Sequence, residues 1–223
     1  MTLFYLASKS PRRAQILRDI GFHDFTVLSD KTVPTAFAGD EVRLAGESPE
    51  DYVSRTAREK ALRAFNRIEK EGLAARPVLA ADTAVILGTR ILGKPENREE
   101  EIRFLKALSG TTHTVRTALV VAASPMQLLE AVSVSHVHFR TLTEEEIAWY
   151  SATKEPYDKA GGYAVGKNQL PLSISITSTG ALAASWDSRP IRRPPFLRPS
   201  ALSRRKTSFF LPRVPLFVFG YLL

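Results

Sequence analysis

Apolar and polar positions switch between two periods over the first three quarters of the chain, and the switches mark its elements. Thr2 to Ala7 is an apolar run with β-branched and aromatic members that stops at a serine cluster, which predicts a buried first strand. Ser10 fits an N-cap, Pro11 the first helical position and Gly21 a terminator. Together they predict a helix over Pro11 to Ile20 that buries Ile16, Leu17 and Ile20. Phe25 to Leu28 reads as a short second strand, followed by a loop rich in Asp, Pro and Gly out to Glu47. Ser48, Pro49 and Asp51 stand in the order of a capped helix start, and Tyr52, Val53, Ala57, Ala61, Phe65 and Ile68 form one apolar stripe that ends at Gly72. Val78 to Leu87 is almost continuously apolar, as in a central strand covered on both faces. Arg90 to Leu92 completes a hairpin, and Asn97 opens a helix with Ile102, Phe104, Leu105 and Leu108 inward and Gly110 at its close. Thr114 to Ala122 and Val132 to Arg140 are strand-like, and Thr143 caps a short helix to about Tyr150 with acids in its first turn. Strands and helices alternate without a repeat or interior linker, which predicts an α/β body of α/β/α layers around an elongated mixed β-sheet.

Charge changes the picture only at one end. The chain of 223 residues carries a formal +8, but residues 170–223 hold eight Lys and Arg against one Asp, leaving +1 for residues 1–169. A nearly neutral body lacks the diffuse basic footprint of a duplex-binding surface, so nucleic acid is not the expected partner. The absence of cysteine rules out disulfides and thiolate metal sites and agrees with a reducing cytoplasm. Leu3 to Ala7 is too short for a signal peptide, and Val214 to Leu223, interrupted by Pro215, is too short to span a bilayer.

Chemistry concentrates at element ends. A strand leading into a helix presents unpaired N–H groups and the positive end of a helix dipole, and Arg12 and Arg13 in the first turn oppose that dipole. Such a start suits a phosphate, which takes both the N–H groups and forked Arg donors, although two solvated arginines on a surface helix are the plain alternative. Lys60 and Lys94 are further cations near motif residues, readable also as a solvated helix lysine and a turn lysine. Asp82 interrupts the apolar run Val78 to Leu87, where a carboxylate is costly unless paired or functional. His136 and His138 point the same way on a strand with no third ligand at a convincing spacing, and His113 reads as a hydrogen-bonding residue of a loop.

Leu6-Ala7-Ser8-Lys9-Ser10-Pro11-Arg12-Arg13 resembles the signature of the Maf family of nucleotide pyrophosphatases. Gly46 to Ala61, Val78 to Val85, Leu92 to Pro95, Leu108 to Thr117, Val137 to Leu142 and Glu155 to Val165 resemble further family segments in the family's order. The resemblance implies an inosine-triphosphatase-like fold and the hydrolysis of nucleoside triphosphates to monophosphate and pyrophosphate, a house-cleaning of nucleotide pools. It makes Asp82 the proton acceptor for the attacking water. Ser8, Arg12, Arg13, Lys60, Thr83 and Lys94 become substrate or phosphate contacts, and Glu41 joins Asp82 as a ligand of Mg²⁺ or Mn²⁺, hard ions suited to carboxylates. Asp158 and Lys159 are implied to order a loop near the nucleotide. The family often forms homodimers. Ser10-Pro11-Arg12-Arg13 together with Asp82-Thr83 resembles the branch acting on dTTP and UTP rather than 7-methyl-GTP, but the glutamine expected after Val165 is absent and Gly166 follows directly. The alternative from another class is a regulator linked to cell division that binds nucleotides or nucleic acid without hydrolysis.

The resemblance stops at about Val165. Residues 170–223, with seven of the fourteen prolines, lack a sustained period and read as a basic, poorly ordered tail outside a domain of residues 1–169. The expectation is a sheet short of one member, with an unpaired edge. In the frame that joins the third base of each codon to the first two of the next, Trp186 to Asp187 forces GGA, a glycine. Asp187 to Ser188, with a TCN serine codon, then gives leucine or phenylalanine, and Ser188 to Arg189, with a CGN codon, permits proline. The shifted frame can spell the Gly-Leu-Pro that the family carries here, so a frameshift or misjudged splice is the expected origin of the tail.

Overall fold

The computed structural model describes residues 2–8, 10–28 and 42–163, together with the backbone of two later strands. In chain order the elements are β1 (Phe4–Ala7), α1 (Pro11–Asp19), β2 (Phe25–Val27), α2 (Pro49–Lys70), β3 (Val78–Leu87), β4 (Arg90–Leu92), α3 (Arg98–Leu108), β5 (Thr112–Ser124), β6 (Gln127–Phe139), α4 (Glu144–Ser151), two single 3₁₀ turns (Pro156–Asp158 and Ala160–Gly162), β7 (Ile174–Thr177) and β8 (Ala183–Asp187). The strands form one mixed sheet in the order β2-β1-β3-β5-β6-β7, with β4 beside β3 and β8 beside β6. β1 runs parallel to β2 and β3, whereas β5 lies antiparallel between β3 and β6.

Side-chain alternation along β3 divides the helices between two faces. Val78, Ala80, Ala84 and Ile86 pack with Val53, Ala57, Ala61 and Ile68 of α2. On the other face Val85 packs with Leu105 and Leu108 of α3 and Ile147 and Tyr150 of α4. Leu79 joins Leu6 of β1 and Ala14 and Leu17 of α1. The result is the expected α/β/α arrangement, set by the period of two in the strands and the apolar stripes of the helices.

The caps anticipated from sequence are largely present. Ser48 accepts from the Asp51 N–H at 3.0 Å, Asn97 from the Glu100 N–H at 2.9 Å, and Thr143 forms a capping box with Glu146. α2 closes with Gly72 at φ +62, where the Leu73 N–H reaches the Ile68 carbonyl and the Gly72 N–H the Glu69 carbonyl. Ser10 is a correction, because it occupies the N-cap of α1 without a side-chain bond to the helix.

Three further expectations change. α1 ends at Asp19, so Ile20 is the C-cap and only half-buried. β6 starts at Gln127 rather than Val132 because Glu130, which disrupts the apolar pattern, is buried and bound by the Arg58 guanidinium of α2. The edge of β6 is not left bare, since β7 pairs antiparallel with His136 to Phe139 and β8 with Leu128 to Val132. The remaining residues of the tail lie outside the described ones. Among the described residues no helix is long and apolar enough to cross a membrane.

Glu101 of α3 is fully buried, and neither of its carboxylate oxygens has a hydrogen-bond partner among the described residues. It fits because Gly162, at φ +74, has no side chain, and a Cβ there would meet the Glu101 carboxylate. Burial pushes the Glu101 carboxyl up to about 8 from its ordinary 4.5. The folded protein therefore retains a proton that the unfolded chain releases, and this group's contribution to stability is lost as pH rises from about 4.5 through 8. Glu101→Gln is expected to flatten the fall in Tm over that interval and to raise Tm at its alkaline end by about 3 °C or more. An unchanged slope of Tm against pH would refute this.

Candidate active site

β1 is only four residues long, and this creates the site. It pairs with Val78 to Ala80 of β3 and ends, while β4 takes up the same edge only at Val85 to Leu87. Ala81 to Ala84 therefore have β5 on one side and, among the described residues, no strand on the other. The chain leaving β1 passes Ser8, whose buried hydroxyl oxygen accepts from the Ser10 N–H at 3.1 Å, and enters α1 at Pro11. The start of α1 thus faces the open stretch of β3, the position outside the carboxyl ends of parallel strands where α/β sheets hold ligands.

Asp82 and Thr83 are consecutive and face opposite sides of the sheet. Asp82, 9% exposed, is held from α2, with Lys60 Nζ 2.5 Å from Oδ1 and Thr56 Oγ1 2.6 Å from Oδ2. Thr83 turns to the other face, where its Oγ1 lies 3.0 Å from the Thr117 hydroxyl and 3.4 Å from Arg13 Nη2. Arg13 Nη1 donates to the Ala81 carbonyl at 2.6 Å. Two of the expected cations are thus bound to the strand itself. Lys60 sits on the Asp82 carboxylate, and Arg13 closes part of the open edge.

Arg12 and Lys94 are exposed. Arg12 lies within electrostatic reach of Asp158, whose carboxyl is held below the ordinary range. Burial opposes that shift, and it is outweighed by the hydrogen bond and charge of Lys159, with a smaller contribution from Arg12. Lys159 Nζ is 2.6 Å from Asp158 Oδ1 and 2.5 Å from the Glu155 carbonyl, an ion pair that stabilises its own turn. The Gly161 N–H donates to the Gly93 carbonyl at 2.8 Å, which fastens this turn beside Lys94. The Lys94 side chain makes no hydrogen bond or ion pair with the described residues.

His113 is buried and bonds the Tyr163 hydroxyl through Nε2, and burial lowers its pKa to about 4, so it is neutral near pH 7. His136 and His138 lie on the exposed side of β6 against Thr114 and Thr112. Glu47 is taken up by Arg55, at 2.6 and 2.9 Å. Asp82 is then the carboxylate at the open stretch, with both oxygens engaged, and among the described residues no three His, Asp or Glu are grouped to hold an ion. These residues do not by themselves make a cation site, and Glu41, the second expected ligand, lies outside the described residues. The concavity bounded by Arg43, Glu47, Ser48, Gly88 and Thr89 holds none of the candidate residues.

Sequence reading missed Thr56 and Thr117. Thr56 lies in the apolar stripe of α2 one turn before Lys60, and a hydroxyl on a core-facing stripe was the available signal. Thr117 is marked only by its register opposite Thr83.

A family model described as Maf-like protein matches residues 3–177, eight residues past the boundary expected from sequence. The dTTP/UTP pyrophosphatase of Bordetella avium is 47% identical over 161 residues, covering 72% of this chain and 78% of that protein. The dTTP/UTP pyrophosphatase of Nitrosospira multiformis is 49% identical over 162 residues, covering 72% and 77%. The nucleoside triphosphate pyrophosphatase of Haemophilus ducreyi is 43% identical over 161 residues, with the same coverage. A solved HAM1 protein from Coxiella burnetii aligns at 18% identity and a TM-score of 0.38 over 62% of this chain and 73% of that one. With its open stretch at Asp82, the start of α1 opposite it, and this extent of family match, the chain belongs to the Maf-like family.

Proposed function

We propose that this protein hydrolyses nucleoside triphosphates to the monophosphate and pyrophosphate, with dTTP and UTP as its substrates. The observation that carries the reading is the Asp82 carboxylate on the unpaired stretch of β3, gripped by Lys60 and Thr56, on the stretch that the start of α1 reaches through Arg13 and the Ala81 carbonyl. The relatives named above support it through their printed activities.

In this reading the triphosphate lies against the start of α1. There the uncapped N–H groups and the Arg12 guanidinium meet its negative charge, and Lys94 approaches from the turn fastened to Gly93. Asp82 accepts a proton from a water that attacks the α-phosphorus. The water oxygen forms the new bond to phosphorus, the bond to the bridging oxygen of the β-phosphate breaks, and pyrophosphate leaves with that electron pair. Lys60 keeps Asp82 oriented and offsets the charge collecting nearby. Thr83 and Thr117 offer hydroxyls on the opposite face of β3 for a polar group of the nucleotide. Glu41 and Asp82 belong to the same proposal as holders of Mg²⁺ or Mn²⁺, and full turnover in excess chelator removes that element.

The direct test is pyrophosphate release from dTTP and UTP. Asp82→Asn is expected to lower kcat by about a hundredfold or more while nucleotide still binds, because the amide keeps the shape and cannot take the proton. Parent-like kcat in that variant overturns the assignment. Binding without turnover by every form of the chain favours the non-catalytic regulator.

Arg12 and Arg13 separate in the same assay. Arg12→Ala should raise KM with little change in Tm, since Arg12 is exposed and opposes the helix dipole. Arg13→Ala should lower Tm by a few degrees through loss of the bond to the Ala81 carbonyl. Equal Tm values for the two variants would contradict this division.

We further propose that the frame-shifted origin accounts for the sequence beyond residue 177, where the family match ends, rather than for all that follows Val165. Expression of the alternate frame should give higher pyrophosphatase activity and solubility than the 223-residue chain. A locus unable to encode Gly-Leu-Pro across Trp186 to Arg189 removes the idea.

A further inference from the structure

Thr56 is 2% exposed, on the turn of α2 that precedes Lys60, and both side chains reach the same carboxylate. Its Oγ1 lies 2.6 Å from Asp82 Oδ2, 2.9 Å from the Tyr52 carbonyl oxygen and 3.1 Å from the Val53 carbonyl oxygen. A hydroxyl has one hydrogen to donate and two lone pairs to offer. Around an ionised Asp82 all three neighbours are acceptors, so the hydrogen goes to the charged one, where the bond is strongest. Tyr52 and Val53 lose little, because helix carbonyls at these positions already accept from the backbone one turn on.

Lys60 Nζ takes the other oxygen, Oδ1, at 2.5 Å, so two side chains one turn apart on α2 fix both oxygens of the carboxylate.

Resting on the reading of Asp82 as proton acceptor, we infer that Thr56 is a positioning residue that donates to Asp82 Oδ2 and, together with Lys60, fixes the orientation of the carboxylate. A valine would fill the same volume and leave Oδ2 buried against methyl groups, an uncompensated loss for a buried polar atom.

The test compares Thr56→Val, Thr56→Ser and Asp82→Asn in the full-length chain, measuring pyrophosphate release from dTTP with Mg²⁺ and Tm by calorimetry. Thr56→Val is expected to lower kcat by about tenfold or more, the size of one lost hydrogen bond to a charged group, with KM within about twofold. Thr56→Ser, which keeps the hydroxyl, should restore kcat to within about threefold even if its Tm falls from the lost methyl group. Combining Thr56→Val with Asp82→Asn should add no further loss, because the carboxyl it serves is gone. Parent-like kcat in Thr56→Val, or equal losses in the valine and serine variants, would overturn the role of Thr56 while Asp82→Asn remained inactive. An active Asp82→Asn, or a parent chain that releases no pyrophosphate, would instead overturn the reading of Asp82, and with it this inference. Should Thr56→Val fail to fold, Thr56→Ala replaces it, with the same split between kcat and KM required against the serine variant.

Discussion

A carboxylate in the interior of a central strand has given up its water and stays charged only if an opposite charge and hydrogen-bond donors replace it. At Asp82 both replacements come from one helix, Lys60 on one oxygen and Thr56 on the other, four residues apart and so on the same side of α2. Short bonds to a strand require the helix to lie close to the sheet. Ala57, Ala61 and Ala64 on the helix meet Ala80, Ala84, Ala118 and Ala122 on the sheet, and this contact between small side chains lets the backbones approach. The alanine-rich face of α2 and the ion pair are thus one device: larger side chains on the stripe would lift Lys60 and Thr56 off the carboxylate.

The open stretch of β3 follows from the shortness of β1. A longer β1 would pair with Ala81 to Ala84 and place a strand where the start of α1 now stands. Leaving that edge unpaired exposes main-chain groups, and Arg13 compensates for one of them through the Ala81 carbonyl. This divides two adjacent arginines that the sequence presents as equivalent. Arg13 is bound to the strand, whereas Arg12 is exposed and has Asp158 within electrostatic reach.

The framework was readable because its signals are local. The caps at Ser48, Asn97 and Thr143 and the stop at Gly72 are set by residues within one turn of the boundary, and each was assigned from that alone. The oddity of Asp82 was also visible, since a single charge interrupts the apolar run of β3. What closes around it was not, because Thr56 lies 26 positions away and looks unremarkable on a helix. The lower end of β6 was missed for a similar reason, as Glu130 breaks the apolar pattern and only its long-range pairing with Arg58 lets it face inward. The pairing of β7 and β8 with β6 escaped a reading that relied on the tail's composition, whereas a strand edge takes its partner largely through main-chain bonds.

Glu101 shows the other solution to burying a carboxyl group. Asp82 sits at the open stretch of the sheet and is matched by a cation and a donor from α2. Glu101, sealed between α3 and the turn at Gly162, has no partner among the described residues and is pushed up to about 8, so it remains a neutral acid at pH 7. The turn it touches is itself fastened, with the Gly161 N–H on the Gly93 carbonyl beside Lys94 and Lys159 on Asp158 just before it. Desolvation keeps Glu101 a neutral acid, whereas Asp82 meets a cation and a hydroxyl; the difference between them is a partner from α2.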